Sequence, residues 1–362
     1  MKINFVAPVV GQNGGSRVVA IYAKKLLALG HDVRVFACAP PVPSFRDRAK
    51  SLLKGKLPKS LPASRTLFFD GLGDRFKEVL PLRQPIRPEQ MPDADVVIAT
   101  WWETAYQVAA LPSGKGAKVY FVQGHEIFDP TVSHISRGSY YLPLHKITIS
   151  SHLRDIHEKE YGSPGVPVVP NSVDLDQFHA PPREKNARPT VGLLYAPKEI
   201  KGLDVSLEAI RIARKTFPDL RVVAFGTPPQ HPQYPLPEDG LFVQQPPQDQ
   251  IRDLYAQCDV WLCGSRTEGF HLPPLEAMAC RCPVVTTRIG GAVEIVTEGV
   301  NGHIVEVEDA AALGAQLTDV LSLAPSEWRA WSDAAYARAR SYTWDDATAA
   351  FAAELEKAVA AG

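Results

Sequence analysis

Short apolar runs alternate along this chain with longer stretches in which apolar residues recur every three or four positions. The first pattern predicts strands buried on both faces, and the second predicts helices with one covered stripe. In the first half, strands are expected at residues 3–10, 32–37, 94–99, 118–122 and 146–149. A helix through Val18, Val19, Tyr22, Leu26 and Leu27 follows the first strand and stops at Gly30. Ser150 or Ser151 caps another, which runs to Tyr161 before Gly162 and Pro164 end it. The second half repeats the scheme, with strands at 190–195, 220–225, 241–244, 259–262, 283–287 and 303–305 and helices at 204–215 and 249–258. Such alternation predicts an α/β protein of two tandem Rossmann-like domains with parallel sheets, facing each other across a cleft. The expected domains are 1–165 and 190–344, with 166–189 as a proline-rich linker stiffened by Pro181 and Pro182. A last helical stretch begins at Trp344, and its periodicity does not say which domain it covers.

Composition narrows the class. The 362 residues are 45% hydrophobic and 22% charged, an ordinary globular make-up. A net charge of −1 gives no electrostatic footprint for nucleic acid. Five scattered cysteines do not form a disulfide framework and suit a reducing compartment. No apolar run is long enough to span a bilayer, and Met1 to Val6 enters a strand pattern at once. A cytoplasmic address without a signal peptide is therefore expected. Residues 46–65 carry Arg46, Arg48, Lys50, Lys54, Lys56, Lys59 and Arg65 against Asp47 alone, with Phe45, Leu52, Leu53 and Leu57 between them. That run suits either peripheral contact with the inner face of an anionic membrane or a solvated loop.

The chemistry concentrates in Glu268-Gly269-Phe270-His271-Leu272-Pro273-Pro274-Leu275-Glu276. A buried strand precedes the segment and a helix start follows it, which puts it at the carboxyl end of a parallel sheet, where α/β folds bind ligands. Helix-start amides attract phosphate. Ionised glutamates repel phosphate and accept hydrogen bonds from hydroxyls. Phosphate beside several hydroxyls describes a sugar nucleotide. The backbone amides of Gly269, Phe270 and Leu272 are candidate donors to its oxygens, with Gly269 allowing close approach. Lys201 is a compact charge suited to a diphosphate. Gly14 and Gly15 open the first helix at a second candidate phosphate site. His125, at the carboxyl end of the strand 118–122, is either a catalytic or a structural histidine. The aromatic residues Trp101, Trp102, Tyr106, Phe128, Tyr140 and Tyr141 read mainly as packing. Asp93-Ala94-Asp95 and Asp174-Leu175-Asp176 resemble a metal-binding pair, and both read as structural.

Taken together, these motifs resemble the retaining GT-B glycosyltransferases of family 4. The Glu-x7-Glu run with its Gly-Phe pair carries the resemblance. So do Gly14-Gly15, Gly30-His31-Asp32-Val33, Pro170-Asn171-Ser172-Val173-Asp174 with Phe178, Lys201-Gly202, Gly290-Gly291 with Glu294-Ile295-Val296, and Tyr342-Thr343-Trp344, all in the family's order. The resemblance implies that Lys201 pairs with the donor diphosphate, Glu276 holds the ribose hydroxyls and Glu268 faces the donor sugar. It also implies a terminal crossing helix at 345–362 and transfer without cofactor or catalytic metal. The acceptor would be a glycan, a lipid-linked sugar or a small molecule, bound by the first domain. Three positions depart from the pattern. Ala196 stands where the family has an arginine, leaving Lys198 or Arg266 as the second cation. Ser172 replaces the linker glycine. The stretch from Phe121 to Glu126 looks more like a rhamnosyltransferase-type variant. The rival readings are a GT-B sugar-nucleotide epimerase, a non-catalytic binder of sugar nucleotides or polysaccharide, and a nicotinamide oxidoreductase. The last lacks a Gly-x-Gly-x-x-Gly after its first strand.

Overall fold

The computed structural model describes residues 1–40 and 63–361. Most of the basic run at 46–65 lies outside them. Arg65, its last member, forks onto both carboxylate oxygens of Glu78.

The chain forms two compact units, each built on a six-stranded sheet. The first unit contains Met1–Thr148, His157–Val169 and Thr348–Gly362. Its strands are β1 (Lys2–Ala7), β2 (Asp32–Cys38), β3 (Phe76–Leu80), β4 (Val96–Ala99), β5 (Ala117–Val122) and β6 (His145–Thr148), in the order β3-β2-β1-β4-β5-β6. All the pairings are parallel, and Ile3 lies between Val33 and Val96. β1 ends at Ala7 rather than at residue 10 because Pro8 follows and has no N–H for the ladder. The apolar pattern missed β3, whose Phe-Lys-Glu-Val-Leu sequence is only half covered because it lies on the sheet edge.

The second unit contains Ile149–Ile156 and Pro170–Ala347. Its strands are β7 (Thr190–Leu194), β8 (Arg221–Gly226), β9 (Leu241–Gln244), β10 (Val260–Cys263), β11 (Val284–Thr287) and β12 (Gly302–Val305), in the order β12-β11-β10-β7-β8-β9. The connectivity of the first sheet is thus repeated. The core gathers Val191, Leu193, Leu262, Val285, Leu317 and Trp328. The expected linker packs onto this unit from Pro170 onward. Arg183 lies 4.6 Å over the Trp328 ring, and Lys185 Nζ reaches the Leu321 and Leu323 carbonyls at 2.6 and 2.7 Å.

Packing also assigns the last helix, Trp344–Ala361. From Thr348 onward it belongs to the first unit. Phe351 is fully buried there, with ring centroids 4.5 Å from Tyr22, 4.9 Å from Phe121 and 6.4 Å from Phe5. Among the described residues no helix is long and apolar enough to cross a membrane.

Candidate functional site

In the second sheet the strand order reverses between β7 and β10, and the chain leaves both strands at their carboxyl ends. Such a reversal opens a crevice for a ligand. After β7 the chain makes a turn at Glu199–Lys201, and Gly202 then starts the helix Leu203–Ala213. Gly202 has φ +51, and a Cβ there would overlap the Gly264 carbonyl oxygen. This close approach of the two backbones seats Lys201 beside the segment leaving β10. Its Nζ lies 2.6 Å from Glu268 Oε1, which also accepts the Ser265 hydroxyl at 3.1 Å. Burial alone would raise the Glu268 carboxyl, but His271 and Lys201 outweigh it and hold the group below its ordinary value. Glu268 is therefore ionised at neutral pH.

The helix Leu272–Ala279 carries prolines at its second and third positions. An α-helix leaves its first four N–H groups unpaired, and proline has none. Only the amides of His271 and Leu272 therefore remain of the four, fewer than the anion site expected from sequence. His271 caps the helix with φ +73 and ψ +77, a left-handed conformation uncommon for a residue with a side chain. Its ring is buried, with Nε2 3.6 Å from Glu268 Oε1. Burial pulls this imidazole down to about 4 despite the Glu268 carboxylate, and the Lys201 charge adds to the fall. Glu276, in the next turn, is buried and accepts the Tyr255 hydroxyl at 2.9 Å. The loop between the two glutamates is braced. Ser150 Oγ donates to the Gly269 carbonyl at 2.8 Å, and the Gly291 amide donates to Phe270 O at 2.8 Å. A Cβ on Gly291 would come within 2.6 Å of the Phe270 ring, so the late glycine pair lets this loop pack closely.

The two candidates for a second cation differ sharply. All five N–H donors of Arg266 are committed, two to Asp204, two to Glu308 and one to the Glu199 carbonyl. Arg266 therefore ties the two loops together, neither neutralising Glu268 nor offering a donor to phosphate. Lys198 is exposed, and among the described residues its side chain has no ion-pair partner.

In the first unit, Gly14 and Gly15 begin the helix Gly14–Ala28, capped by Asn13 accepting the Ser16 amide at 2.9 Å. A Cβ on Gly14 would meet nothing within 4 Å, and one on Gly15 would have Asn13 Oδ1 nearest at 3.5 Å. Packing does not demand these glycines, and open space lies beside Gly14. His125 Nε2 lies 2.6 Å from the Tyr161 hydroxyl, within a group of rings that includes Tyr140 and His157. Next to it, Glu126 is buried and accepts the Trp102 amide at 3.0 Å. Trp102 and Tyr140 are buried, whereas Phe128 and Tyr141 are exposed. The aspartate pairs have local partners. Asp93 pairs with Lys115 at 2.7 Å, Asp95 accepts the Lys2 amide at 2.6 Å and Asp174 accepts the Asp176 amide at 3.0 Å.

Comparison with known proteins gives this geometry its family. Residues 12–177 match the Glycosyltransferase Family 4 model, and residues 176–338 match Glycosyl transferases group 1. The chain belongs to the family 4 glycosyltransferases. It is 30% identical over 248 residues to an O-antigen biosynthesis protein, RfbC, of Myxococcus xanthus, covering 67% of this chain and 19% of that one. It is also 30% identical over 211 residues to a D-inositol 3-phosphate glycosyltransferase of Corynebacterium urealyticum, covering 50% of this chain and 48% of that one. The chain thus spans about half or less of the length of these family members. Among solved structures, sucrose-phosphate synthase of Thermosynechococcus elongatus superposes with a TM-score of 0.73 at 16% identity, covering all of both chains. Anabaena HepE in complex with UDP superposes with a TM-score of 0.72 at 18% identity, covering 99% of this chain and all of that one. These neighbours establish the GT-B fold. Sequence reasoning had not found three residues of the site, Tyr255, Ser265 and His271. Tyr255 lies 21 positions from its partner Glu276 on another helix, so no local spacing marks it. His271 lay in plain view inside the motif, and its backbone conformation alone sets it apart.

Proposed function

We propose that the protein is a retaining glycosyltransferase that moves a sugar from a nucleotide diphosphate to a hydroxyl of a glycan, lipid-linked or small-molecule acceptor. One observation carries this reading. Lys201 and Glu268 pair at the carboxyl ends of β7 and β10, a cation for phosphate beside a carboxylate for hydroxyls, and Glu276 lies on the helix that follows. The UDP bound by HepE, which shares the fold, supports a nucleotide in this role. In the proposed step the bond from the anomeric carbon to the diphosphate oxygen breaks. A bond to the acceptor oxygen forms on the same face, and the acceptor proton passes to the leaving phosphate. Lys201 and the amides of His271 and Leu272 stabilise the charge that grows on the diphosphate. To do so, Lys201 exchanges Glu268 for phosphate, which frees the carboxylate for the sugar. Glu276, oriented by Tyr255, takes the ribose hydroxyls. Gly14 and Gly15 supply further amides for phosphate, and Lys198 takes the place of the arginine absent at Ala196. The first unit binds the acceptor, with His125 among its contacts, and the basic run, apart from the Arg65 held by Glu78, rests on the inner face of an anionic membrane.

The test is a panel of UDP-, GDP- and dTDP-sugars with release of nucleoside diphosphate as the readout. Lys201→Ala and Glu276→Ala are expected to lose at least about 100-fold in turnover while keeping the native circular-dichroism spectrum. Full activity in both would remove the assignment. A changed sugar still attached to its nucleotide would establish an epimerase instead, and binding without turnover would establish a binder. Sedimentation with phosphatidylserine vesicles, lost when the lysines of 50–59 become glutamine, tests the membrane contact.

A further inference from the structure

Glu268 uses only one of its oxygens on the protein. Lys201 and Ser265 both bond Oε1, and among the described residues Oε2 has no hydrogen bond. The His271 side chain is 5% exposed, and among the described residues its ring makes no hydrogen bond, with Glu268 Oε1 at 3.6 Å beyond bonding range. Polar side chains in buried residues are normally paired, so groups left open here call for a partner that the protein does not supply. The backbone adds an independent sign. At φ +73 a glycine would sit without strain, and a side chain there has a conformational cost. Sites at which such strain persists cluster where a side chain binds a ligand. Here the strained position puts a polar ring beside a carboxylate with one oxygen uncommitted.

We propose that His271 is a specificity-determining residue for the donor sugar, its imidazole and Glu268 Oε2 together receiving two neighbouring hydroxyls of the hexose. The inference rests on the transfer reading above and adds a reader of the sugar to it. Glu268 accepts from one hydroxyl. An uncharged imidazole has one donor and one acceptor nitrogen, so it pairs with the neighbouring hydroxyl in either sense. Two fixed partners side by side distinguish an equatorial from an axial hydroxyl, because inverting one carbon leaves a buried group unpaired. Lys201, the helix-start amides and Glu276 hold the nucleoside diphosphate, and the amide of His271 persists whatever its side chain, which leaves the imidazole and Oε2 for the sugar.

The experiment compares wild type with His271→Gly, His271→Ala and His271→Asn. Binding of UDP, GDP and dTDP is measured by calorimetry, and turnover is measured on sugar nucleotides that differ at one carbon, such as UDP-glucose and UDP-galactose. All three variants are expected to bind the preferred nucleoside diphosphate within about twofold of wild type, because no phosphate or ribose contact is removed. His271→Gly and His271→Ala should lower kcat/KM for the preferred sugar nucleotide by about 10- to 100-fold and reduce discrimination between the two epimers by about tenfold. His271→Asn should restore part of both, since asparagine tolerates the left-handed region and supplies a donor and an acceptor. Unchanged epimer discrimination in the glycine and alanine variants, with wild type active, would overturn the inference and leave the transfer reading intact. Equal loss of diphosphate binding and sugar selectivity would also overturn it, since His271 would then act only by holding the loop. A wild type that turns over no sugar nucleotide would remove the transfer reading and this inference with it.

Discussion

Lys201 and Glu268 form a pair in which each partner has two tasks. The lysine side chain is 26% exposed and the glutamate 12%, so the pair is shielded from water without being dry. Removing one member of a shielded pair strands the other, whereas removing both is far less damaging. Lys201→Ala is therefore expected to lower unfolding free energy by about 2 kcal/mol, and the double variant Lys201→Ala, Glu268→Ala to recover at least half of that loss. Urea unfolding of wild type, Lys201→Ala, Glu268→Ala and the double variant measures the coupling. Absence of any coupling would mean that the contact is incidental and that Lys201 stands ready for phosphate unaided. Turnover separates the two tasks, since the double variant regains stability but not activity.

At the scale of elements, the site depends on two backbones meeting between β7 and β10. Gly202 is the pivot, and alanine there is excluded twice, by φ +51 and by the overlap with the Gly264 carbonyl. Gly202→Ala should cost about 3 kcal/mol or more, and it should move Lys201 away from Glu268. A variant as stable as wild type, by thermal melting, would show that the helix start can shift at little cost. This pivot also explains what could be read from sequence. Lys201-Gly202 and the Glu-x7-Glu segment are local strings, and each carries its geometry within a few residues. The central strands were legible for the same reason, because β4 and β10 are unbroken apolar runs buried on both faces. Edge strand β3 was not, since half of its residues meet water and its pattern dissolves into charges. The saturation of Arg266 by Asp204 and Glu308 was equally hidden. Those carboxylates lie 62 and 42 positions away, and only the fold brings them to the guanidinium.

At the scale of the molecule, the final helix ties the end of the chain to the core of the first unit. Phe351→Ala removes a ring packed on Phe5, Tyr22 and Phe121 and should cost about 4 kcal/mol, seen as lost hydrogen-exchange protection in β1 and β5 but not in β7 and β10. The same unit holds two buried groups whose titrations oppose each other. Burial pulls His157 down to about 4, with Lys146 and His125 adding to the fall. Burial pushes Glu126 well above the ordinary carboxylate range, with Glu103 adding to the rise and the Trp102 amide opposing it. Between about pH 4 and 6.5 the unfolded chain protonates His157 and the folded unit does not, so this group removes stability as pH falls. Folded Glu126 gives up its proton at higher pH than the unfolded chain does, so this group removes stability as pH rises above about 4.5. In wild type the two slopes oppose each other. Glu126→Gln keeps an acceptor for the Trp102 amide and removes the carboxyl titration, which leaves the histidine slope exposed. Its stability should fall by up to about 3 kcal/mol as pH drops from 6.5 to 4, read from hydrogen exchange in β5 at each pH. His157→Phe should reverse the sign, losing stability as pH rises through the same window. A Glu126→Gln profile without that fall would show that His157 takes up its proton within the folded unit, and that this ring cluster opens to water at acid pH.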